Sequence, residues 1–333
     1  METFVTIIIP SYNGEHYINR AIDSIIKQSF TNWHLIVIDD CSTDLTYEIA
    51  MGYQSMESRI TVYQNEKNHG SARQSILKGV SKAYTDWLVV MGQDDFIENK
   101  YFEKMLKRSR EIKADIILSR TVSTLDGITE KGFLPCKDFN MNQIISGKEA
   151  CRMTIGSWKI GMNGAFIRKG LYENIIVDDK VEMNMDEVDS RVLLANSPNV
   201  AFCDVKYFYL IRPDSICRKI SPKLFDKIKT SWYLFDYLKM TYPNDTDMLT
   251  IQWRETMNTI IENILLFWNY DQLKPYKDKL FHFSEETWDN LVSEKQFSSG
   301  MYRLLIKVGR FEVFEIIIFL RYIIGRFYHV FVN

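Results

Sequence analysis

The sequence predicts an α/β protein with a mainly parallel sheet, helices on both faces of that sheet, and a helical C-terminal region. Two observations lead to this fold class. Short apolar runs alternate with segments of helical periodicity from the N-terminus to about Arg120, which is typical of a parallel sheet covered by helices. After Pro222 the strand-like runs give way to segments with helical spacing alone.

The predicted elements follow one another in a regular order. The first run, FVTIIIP at 4–10, is continuously apolar, as expected of a strand that is buried on both faces. Further strands are predicted at 34–39, 59–64, 87–92 and 114–120, and helices at 17–28, 45–53 and 71–83. The first helix carries its apolar residues on one face, so we expect that face to cover the sheet.

The composition excludes several classes of protein. The 333 residues carry a formal net charge of −2, so no bulk electrostatic attraction to nucleic acid is expected. The five cysteines are scattered and form no Cys-x-x-Cys pair, which favours reduced thiols in a cytosolic setting over disulfides or a zinc site. We find no secretory signal at the start and no uninterrupted apolar stretch long enough for a membrane span.

Acidic residues are concentrated where two predicted strands end. The segments IDDCSTD at 38–44 and GQDDFIE at 92–98 both follow apolar runs, and the polar segment PSYNGE at 10–15 follows the first strand. Parallel sheets bind ligands at the carboxyl ends of their strands, so we expect the three loops to converge on one crevice. For one cluster alone, a turn or cap role would be the simpler interpretation. Three such loops on one sheet edge favour a ligand site.

Several ordered motifs resemble the opening of family 2 glycosyltransferases, which have the nucleotide-sugar-binding GT-A fold. These motifs are IIIPSYNGEHYINRAIDSIIKQSFTNWHLIVIDDCSTD at 7–44, NEKNHGSARQSILKG at 65–79 and WLVVMGQDDFIENKYFEKML at 87–106. The resemblance is strong over the first third of the chain and weaker to about Lys219. It implies a GT-A nucleotide-sugar-binding and catalytic domain at 1–221. A helical region at 222–300 and an amphipathic tail at 301–333 follow it.

The resemblance implies that the first two loops hold the nucleoside of a UDP-sugar or a related donor. Pro10, Tyr12 and Asn13 would line the base pocket. Asp40 would accept the N3–H of uracil, a contact that suits an ionised carboxylate, and Asp39 would be its structural neighbour.

The resemblance also implies contacts to the donor's diphosphate. Arg73, at the start of a predicted helix, would reach the diphosphate with help from the positive helix terminus; a solvated surface arginine is the alternative. Arg218, with Arg212 and Lys219, lies in a stretch that resembles the family's donor-closing loop. Solvated loop charges would give the same pattern.

The family usually has an Asp-x-Asp motif that binds a divalent metal, and this chain departs from it. Here the sequence is Gly92-Gln93-Asp94-Asp95, so the first carboxylate is missing. The resemblance implies that Asp94 takes the place of the second and that Asp95 shares the metal or the ribose. Gln93 would supply a neutral ligand or a sugar contact. We expect Mn²⁺ or Mg²⁺, because a hard cation neutralises the clustered charge of a sugar diphosphate.

The segment VEMNMDEVDSRVLLAN at 181–196 resembles the family's acidic motif, which supplies a base to the acceptor hydroxyl. Asp186 is the first candidate and Glu187 the second, while solvent exposure is the simplest role for Asp189, about one turn further on. From spacing alone, acidic residues stabilising a helix N-terminus would be the preferred interpretation. Trp158, in the stretch that resembles the acceptor side, could stack on a sugar ring or belong to the core, and the core is the commoner place.

The tail at 301–333 is aromatic and apolar but interrupted by charges, so it suits a helix lying in a membrane interface better than a spanning one. A helix packed on the globular body or on a second subunit, as in a homo-oligomer, is an equal alternative. Its charged residues are Arg303, Lys307, Arg310, Glu312, Glu315, Arg321 and Arg326.

Together these features predict an inverting glycosyltransferase. It would move a sugar from a nucleotide-sugar donor to a hydroxyl of a glycan or lipid-linked acceptor in bacterial surface polysaccharide synthesis. We expect it in the cytoplasm, peripheral at the inner face of the cell membrane. A sugar nucleotidyltransferase is disfavoured, because no Gly-rich basic phosphate loop follows the first strand. A non-catalytic nucleotide-sugar-binding protein is the other alternative, because Gly92 replaces a metal ligand.

Overall fold

The computed structural model describes residues 5–173, 175, 183–212, 219–307 and 309–332. The chain forms two compact units. The sheet unit comprises Met1–Asp178 and Met185–Ser215, and the helical unit comprises Asp179–Asn184 and Ile216–Asn333. Arg218, one of the predicted diphosphate contacts, lies outside the described residues.

The described part of the sheet unit contains a ten-stranded sheet with the order β3-β2-β1-β4-β9-β6-β10-β5, in which β7 also pairs with β6 and β8 with β10. The strands are β1 (Val5–Ser11), β2 (Trp33–Asp39), β3 (Ile60–Gln64), β4 (Trp87–Val90), β5 (Phe96–Ile97), β6 (Ile116–Thr124), β7 (Glu130–Leu134), β8 (Ile144–Ser146), β9 (Phe166–Arg168) and β10 (Asn199–Leu210). The helices of this unit are α1 (Ile18–Ile26), α2 (Thr46–Met56), α3 (Ala72–Lys82), α4 (Tyr101–Glu111), α5 (Gly147–Arg152), α6 (Lys169–Glu173) and α7 (Met185–Asn196).

The predicted fold class is confirmed, and most of the predicted strands and helices lie close to their expected positions. β1 pairs in parallel with β2 and with β4, and β2 pairs in parallel with β3. Half of the strands, β5 and β7 to β10, have no counterpart among the predicted strands. One of them, β9, lies antiparallel between β4 and β6. It is only three residues long, so it shows little periodicity from which it could be recognised.

The core of the sheet unit follows from the apolar runs. Every residue of β1 is buried except Pro10, which is half-buried. Helix α1 buries four apolar residues against the sheet: Ile18, Ala21, Ile22 and Ile25. Helix α3 approaches the sheet closely at Gly79, where an added Cβ would lie 2.5 Å from Cγ2 of Ile8. Any larger residue at position 79 would therefore push α3 away from β1.

The order of the strands determines where the three polar loops lie. The chain passes from β1 outward through β2 to β3 and then returns to β4 on the other side of β1. The connections from β1 and β4 therefore leave in opposite directions, which creates a topological switch point between their carboxyl ends. The register places Ser11 beside Asp39 and Ile8 beside Val90, so the three polar loops follow neighbouring strands.

The helical unit is built from α8 (Asp226–Thr241), α9 (Thr246–Asn269), α10 (Lys277–Ser293), α11 (Gly300–Ile306) and α12 (Phe311–Val332). Its core includes the fully buried indoles of Trp253 and Trp288. Trp253 Nε1 donates a hydrogen bond to the carbonyl of Leu291 at 3.2 Å and so links α9 to α10. No helix in the described part of the chain has the length and apolarity needed to cross a membrane.

Candidate functional site

The side chain of Gln93 joins the two loops at the switch point. The backbone N–H of Tyr12 donates to Gln93 Oε1 at 3.0 Å, and Gln93 Nε2 donates to the carbonyl of Tyr12 at 2.9 Å. A Cβ at Gly14 would lie 2.2 Å from Gln93 Oε1, so the amide fits only beside a glycine. The predicted base-pocket loop and the predicted metal loop are thus held together by one side chain. Pro10 is half-buried near the end of β1, and the ring of Tyr12 is exposed.

The loop after β1 is also tied to the loop after β2. The backbone N–H of Asn13 donates to Ser42 Oγ at 3.0 Å, and Asn13 Oδ1 accepts from the backbone N–H of Thr43 at 2.8 Å. Asn13 has a φ of +47°, a left-handed conformation that asparagine adopts more readily than most residues. The side chain predicted to line a base pocket therefore fixes the two loops relative to each other.

Asp39 and Asp40 are both buried, and both hold loops in place. Asp39 Oδ2 accepts from the backbone N–H of Ser42 at 3.0 Å and from Gln64 Nε2 at 3.1 Å. Asp40 Oδ1 accepts from Asn65 Nδ2 at 2.8 Å, and its Oδ2 accepts from the backbone N–H of His69 at 3.0 Å. A carboxylate has about four acceptor positions. The ring of His69 lies within hydrogen-bond distance of Oδ1 as well, so Asp40 retains capacity for one more donor. The uracil contact remains a prediction.

His69 contacts Asp40 and was not among the predicted site residues. Its Nδ1 lies 2.9 Å from Asp40 Oδ1, and its side chain is about one-third exposed. The five histidines of the sequence show no paired metal-ligand spacing, so no role is predicted for His69. The contact to Asp40 appears only when the loop after β3 folds back over the loop after β2.

Asp95 anchors the end of β10. Tyr207 Oη donates to Asp95 Oδ2 at 2.6 Å, and the backbone N–H of Leu210 donates to Asp95 Oδ1 at 3.0 Å. The backbone N–H of Gly92 donates to Tyr207 Oη at 3.1 Å. Burial, with a further contribution from the negative charge of Asp94, raises the pKa of Asp95 to about 7. Both carboxylate oxygens thus have partners within the protein.

Asp94 is less buried and forms an ion pair. Arg212 Nε lies 2.7 Å from Asp94 Oδ2, and the guanidinium of Arg212 lies 4.7 Å from the centroid of the Tyr17 ring. Arg20 Nη2 donates to the backbone carbonyl of Asp94 at 2.8 Å. The carboxylate predicted to bind a metal therefore faces a cation that the protein itself supplies.

The groups around Asp94 set a limit on how a metal could bind. In the described residues, no three His, Cys, Asp or Glu side chains cluster as a metal site. Gly92 offers no side chain, and the oxygens of Asp95 already accept hydrogen bonds. Mg²⁺ is commonly held by one or two carboxylates together with the phosphates of a substrate. The residues fit an ion that arrives with a diphosphate and takes Asp94 as its ligand, but they do not fit an ion held by the protein alone.

The two candidate bases at the start of α7 have different surroundings. Glu187 Oε2 accepts from Arg191 Nη1 at 2.8 Å, and Arg191 also donates to the hydroxyl and carbonyl oxygens of Thr154 at 3.2 and 2.9 Å. The Arg191 guanidinium lies 4.7 Å from the centroid of the half-buried Trp158 ring. Glu187 and Trp158 are thus both in contact with one buried arginine.

Asp186 is exposed to solvent and forms no side-chain ion pair with any described residue. Protein atoms around it still remove part of its hydration, which raises the pKa of Asp186, and the neighbouring charge of Glu187 raises it further. A carboxylate with a raised pKa that remains accessible is suited to accept a proton from a hydroxyl group.

Asp189 and Arg73 do not face solvent. Arg73 Nε donates to both carboxylate oxygens of Asp189, at 3.1 and 3.2 Å, and both residues are buried. Burial raises the pKa of Asp189 to about 6, although Arg73 acts in the opposite direction. The expectation of a solvent-facing Asp189 is therefore wrong, and so is the surface alternative for Arg73. The reason is that α7 packs near the start of α3, a contact across 116 residues of sequence.

The Arg73–Asp189 ion pair places the start of α7 near the carboxyl edge of the sheet, where the polar loops lie. Helix α3 follows β3, so its first residues lie at the carboxyl edge of the parallel strands. Arg73 is the second residue of α3 and contacts Asp189 in the first turns of α7. Asp186, three residues before Asp189, is about one helical turn away. The predicted base and the predicted donor loops therefore belong to the same edge of the sheet.

An α/β sheet with polar loops at a topological switch point and an acidic helix start at the same edge defines a ligand-binding domain of the nucleotide-binding class. Residues 6–170 match the family model described as Glycosyl transferase family 2. The chain therefore belongs, through this domain, to glycosyltransferase family 2 and has the GT-A fold.

Curated relatives agree with this assignment. Glycosyltransferase GlyG of Streptococcus pneumoniae is 24% identical over 226 residues, which cover 66% of this chain and 74% of GlyG. UDP-Glc:alpha-D-GlcNAc-diphosphoundecaprenol beta-1,3-glucosyltransferase WfgD of Escherichia coli is 34% identical over 125 residues, 37% of this chain and 44% of WfgD. The higher identity, that to WfgD, thus covers less than half of the length of that relative.

The fold has a solved counterpart. The structure of residues 1–349 of Staphylococcus aureus TarS in complex with UDP-GlcNAc superposes with a TM-score of 0.66 at 15% sequence identity. The match covers 95% of this chain and 89% of the TarS chain. At this identity the similarity concerns the fold.

Proposed function

We propose that this protein is an inverting glycosyltransferase of the hexosyltransferase type. It transfers a sugar from a UDP-sugar to a hydroxyl of a glycan or lipid-linked acceptor in bacterial surface polysaccharide synthesis. The observation that carries the proposal is the Arg73–Asp189 ion pair, because it brings α7 and its exposed carboxylate Asp186 to the carboxyl edge of the sheet. That edge also holds the loops that resemble the family's donor site.

The proposed donor site uses the loops after β1, β2 and β4. Asp40, buried and already oriented by Asn65 and His69, would accept the N3–H of uracil with its remaining acceptor capacity. Pro10, Tyr12 and Asn13 would surround the base, with Asp39 fixing the loop behind them. The solved complex of TarS contains UDP-GlcNAc, and this supports a UDP-sugar as the donor.

The diphosphate would lie toward Asp94 and Arg212. A divalent ion, Mn²⁺ or Mg²⁺, would arrive with the diphosphate and act as a Lewis acid on the departing nucleotide. Arg212 already lies beside Asp94, so its guanidinium is placed to bind phosphate oxygens by charge-assisted hydrogen bonds. Arg218 and Arg73 remain further predicted contacts to the diphosphate. Asp95 would keep the loop in place through Tyr207 and Leu210, and its predicted share of the metal depends on freeing one of its oxygens.

The proposed chemistry is a single displacement. Asp186 accepts the proton of an acceptor hydroxyl, and that oxygen attacks the anomeric carbon while the bond from this carbon to the diphosphate oxygen breaks. The nucleoside diphosphate leaves with the electron pair, and the anomeric configuration inverts. Glu187 is held by Arg191, so Asp186 is the preferred base. Trp158, in contact with the same arginine, would line the acceptor side.

The acceptor class is proposed from the names of relatives. WfgD is named for transfer to a diphosphoundecaprenol-linked sugar, and TarS is named for transfer to poly(ribitol-phosphate). Both names describe transfer to an acceptor that carries phosphate. We place the reaction in the cytoplasm at the inner face of the membrane, where such acceptors would be presented.

Incubation with a panel of labelled UDP-sugars and lipid-linked acceptors, followed by product analysis, tests the proposal. A labelled glycan with inverted anomeric configuration is expected from the wild type. Asp86→Asn is the matched control for Asp186→Asn, since Asp86 is an exposed carboxylate of the same unit. Donor binding without transfer or hydrolysis across the panel would favour the non-catalytic alternative, for which Gly92 in the metal motif is the supporting observation. Release of pyrophosphate from a nucleoside triphosphate and a sugar phosphate would indicate a nucleotidyltransferase.

A further inference from the structure

The end of the described chain forms a helical hairpin, which we call the tail hairpin and which consists of α11 and α12. One side of α12 is packed within the helical unit. Phe314 is fully buried and stacks on Trp288 with ring centroids 4.3 Å apart, and Phe311 and Ile318 are buried beside it. Arg321 Nη1 lies 3.7 Å from Met301 Sδ, which brings the start of α11 beside α12.

The opposite side of the tail hairpin is apolar and exposed. Val313, Ile316 and Leu320 are spaced by three and four residues, so they lie on one face of α12. Ile316 is 55% exposed and Leu320 is 52% exposed. On α11, Leu304 is 64% exposed. Exposed apolar residues that adjoin one another in this way usually mark an interaction site.

The exposed side chains of the tail hairpin are also strongly basic. Four cationic side chains are exposed, against one exposed acidic side chain, Glu312, within the described residues 300–322. Glu315 is half-buried, and burial raises its pKa. The exposed cationic residues are Arg303, Lys307, Arg310 and Arg321. The exposed apolar row and these basic residues together are called the tail surface below.

We propose that the tail surface binds an anionic phospholipid bilayer. The apolar row of α12 and Leu304 would enter the boundary between headgroups and acyl chains, while the basic residues contact lipid phosphates. A second copy of the chain is a poorer partner. In a two-fold symmetric contact the same patch meets itself, so the excess of positive charge on one copy would face the same excess on the other.

Sedimentation of the full chain with vesicles tests this proposal. We expect it to bind vesicles of phosphatidylcholine mixed with phosphatidylglycerol, and to bind vesicles of phosphatidylcholine alone much more weakly. Ile316→Gln with Leu320→Gln should lower the partition coefficient by about tenfold or more. Lys307→Gln and Arg310→Gln should each lower it by about fivefold on anionic vesicles, with little effect on neutral ones.

Matched controls come from the same unit. Met240 is 76% exposed on α8, and Lys295 is exposed after α10. Met240→Gln and Lys295→Gln should leave vesicle binding unchanged. All of the altered side chains are exposed, so a melting temperature equal to that of the wild type should confirm folding. The charge variants provide an independent test if the apolar pair fails to fold.

Two results would overturn the proposal. One is equal sedimentation of the wild type and all tail variants with either kind of vesicle. The other is an absence of vesicle binding together with a dimer in size-exclusion chromatography that Ile316→Gln with Leu320→Gln separates into monomers. That second result would assign the tail surface to a second copy of the chain. Binding of a UDP-sugar, measured in parallel, separates failure of this proposal from failure of the proposed transferase activity.

Discussion

Arg191 holds Glu187 in an ion pair of 2.8 Å, one position along α7 from the exposed carboxylate of Asp186. The two acidic neighbours are adjacent in sequence but different in chemistry. One is neutralised by a buried guanidinium that also contacts Thr154, and the other remains accessible. This difference leads to a prediction about the base.

Asp186→Asn should reduce transfer by roughly 10²–10⁴-fold, the usual contribution of a general base, and should leave UDP binding intact. Glu187→Gln should have a smaller effect on the chemical step and a larger effect on stability, because it leaves Arg191 buried without its anionic partner. Single-turnover rates and calorimetric UDP binding measure the two effects. A nearly silent Asp186→Asn together with an inactive Glu187→Gln would show that Glu187 is the base.

Asp94→Ala should remove most transfer activity and weaken metal-dependent UDP binding, because the variant lacks the one carboxylate with which an arriving ion could be held. Titration of UDP with Mn²⁺ and with EDTA, for the wild type and the variant, measures the effect. In the wild type the ion should strengthen UDP binding, and in the variant this gain should be largely lost. Full activity of the wild type in excess EDTA would refute the metal proposal.

Asp95 should make the stability of the protein depend on pH. Its pKa is raised to about 7 in the folded protein, against about 3.9 for an unperturbed aspartate. The stabilising contribution of protonated Asp95 is therefore fully present below about pH 4. It is lost as the pH rises to 7, because over this range the unfolded chain has released the proton that the folded state still holds.

Asp95→Asn cannot ionise and serves as the comparison. The variant should gain stability relative to the wild type by about 1–2 kcal/mol between pH 5 and pH 7. Urea unfolding of both proteins at a series of pH values measures this difference. A difference that is constant over this range, or that changes in the opposite direction, would contradict a raised pKa of Asp95 in the folded protein.

Gly14→Ala should weaken donor binding through Gln93. The added Cβ would lie 2.2 Å from Gln93 Oε1, and the flexible side chain would have to leave the backbone of Tyr12. Gln93→Ala removes the same link, so the double variant should bind UDP about as well as Gln93→Ala alone, and the two effects should not add.

Gly52→Ala is a suitable control for this cycle. Nothing lies within 4 Å of a Cβ built at Gly52, and the residue lies in the middle of α2, on its exposed face. The substitution should stabilise the helix by about 0.5–1 kcal/mol and leave UDP binding unchanged. Strictly additive effects of Gly14→Ala and Gln93→Ala would contradict the shared mechanism.

Periodicity in the sequence predicted β1 to β4, β6 and the first three helices, because burial on both faces leaves continuous apolar runs such as that of β1, but it did not predict β5, β7 to β10 or α4 to α6. The same signal could not predict which distant elements meet. Asp189 lies at helical spacing after Asp186, and nothing nearby indicates that Arg73 would be its partner. The pairing depends on how α7 packs on α3, and this is decided by the whole fold.

The family resemblance located the acidic loops but gave no account of what holds them. Tyr207 and His69 hold Asp95 and Asp40 in place, yet an isolated tyrosine in a strand or histidine in a loop has the same local pattern whether or not it has such a role. Supporting contacts of this kind come from residues far apart in sequence, so they become visible only in three dimensions.

The end of β10 and the two residues that follow it combine three contacts in a short stretch. Tyr207 and Leu210 fix Asp95, and Arg212 pairs with Asp94. A strand advances about 3.3 Å per residue and alternates its faces, so inserting or deleting one residue here would misplace all three contacts at once. We therefore expect the spacing from Tyr207 to Arg212 to resist changes in length during evolution more strongly than changes in residue type, and length polymorphism to accumulate elsewhere in the chain.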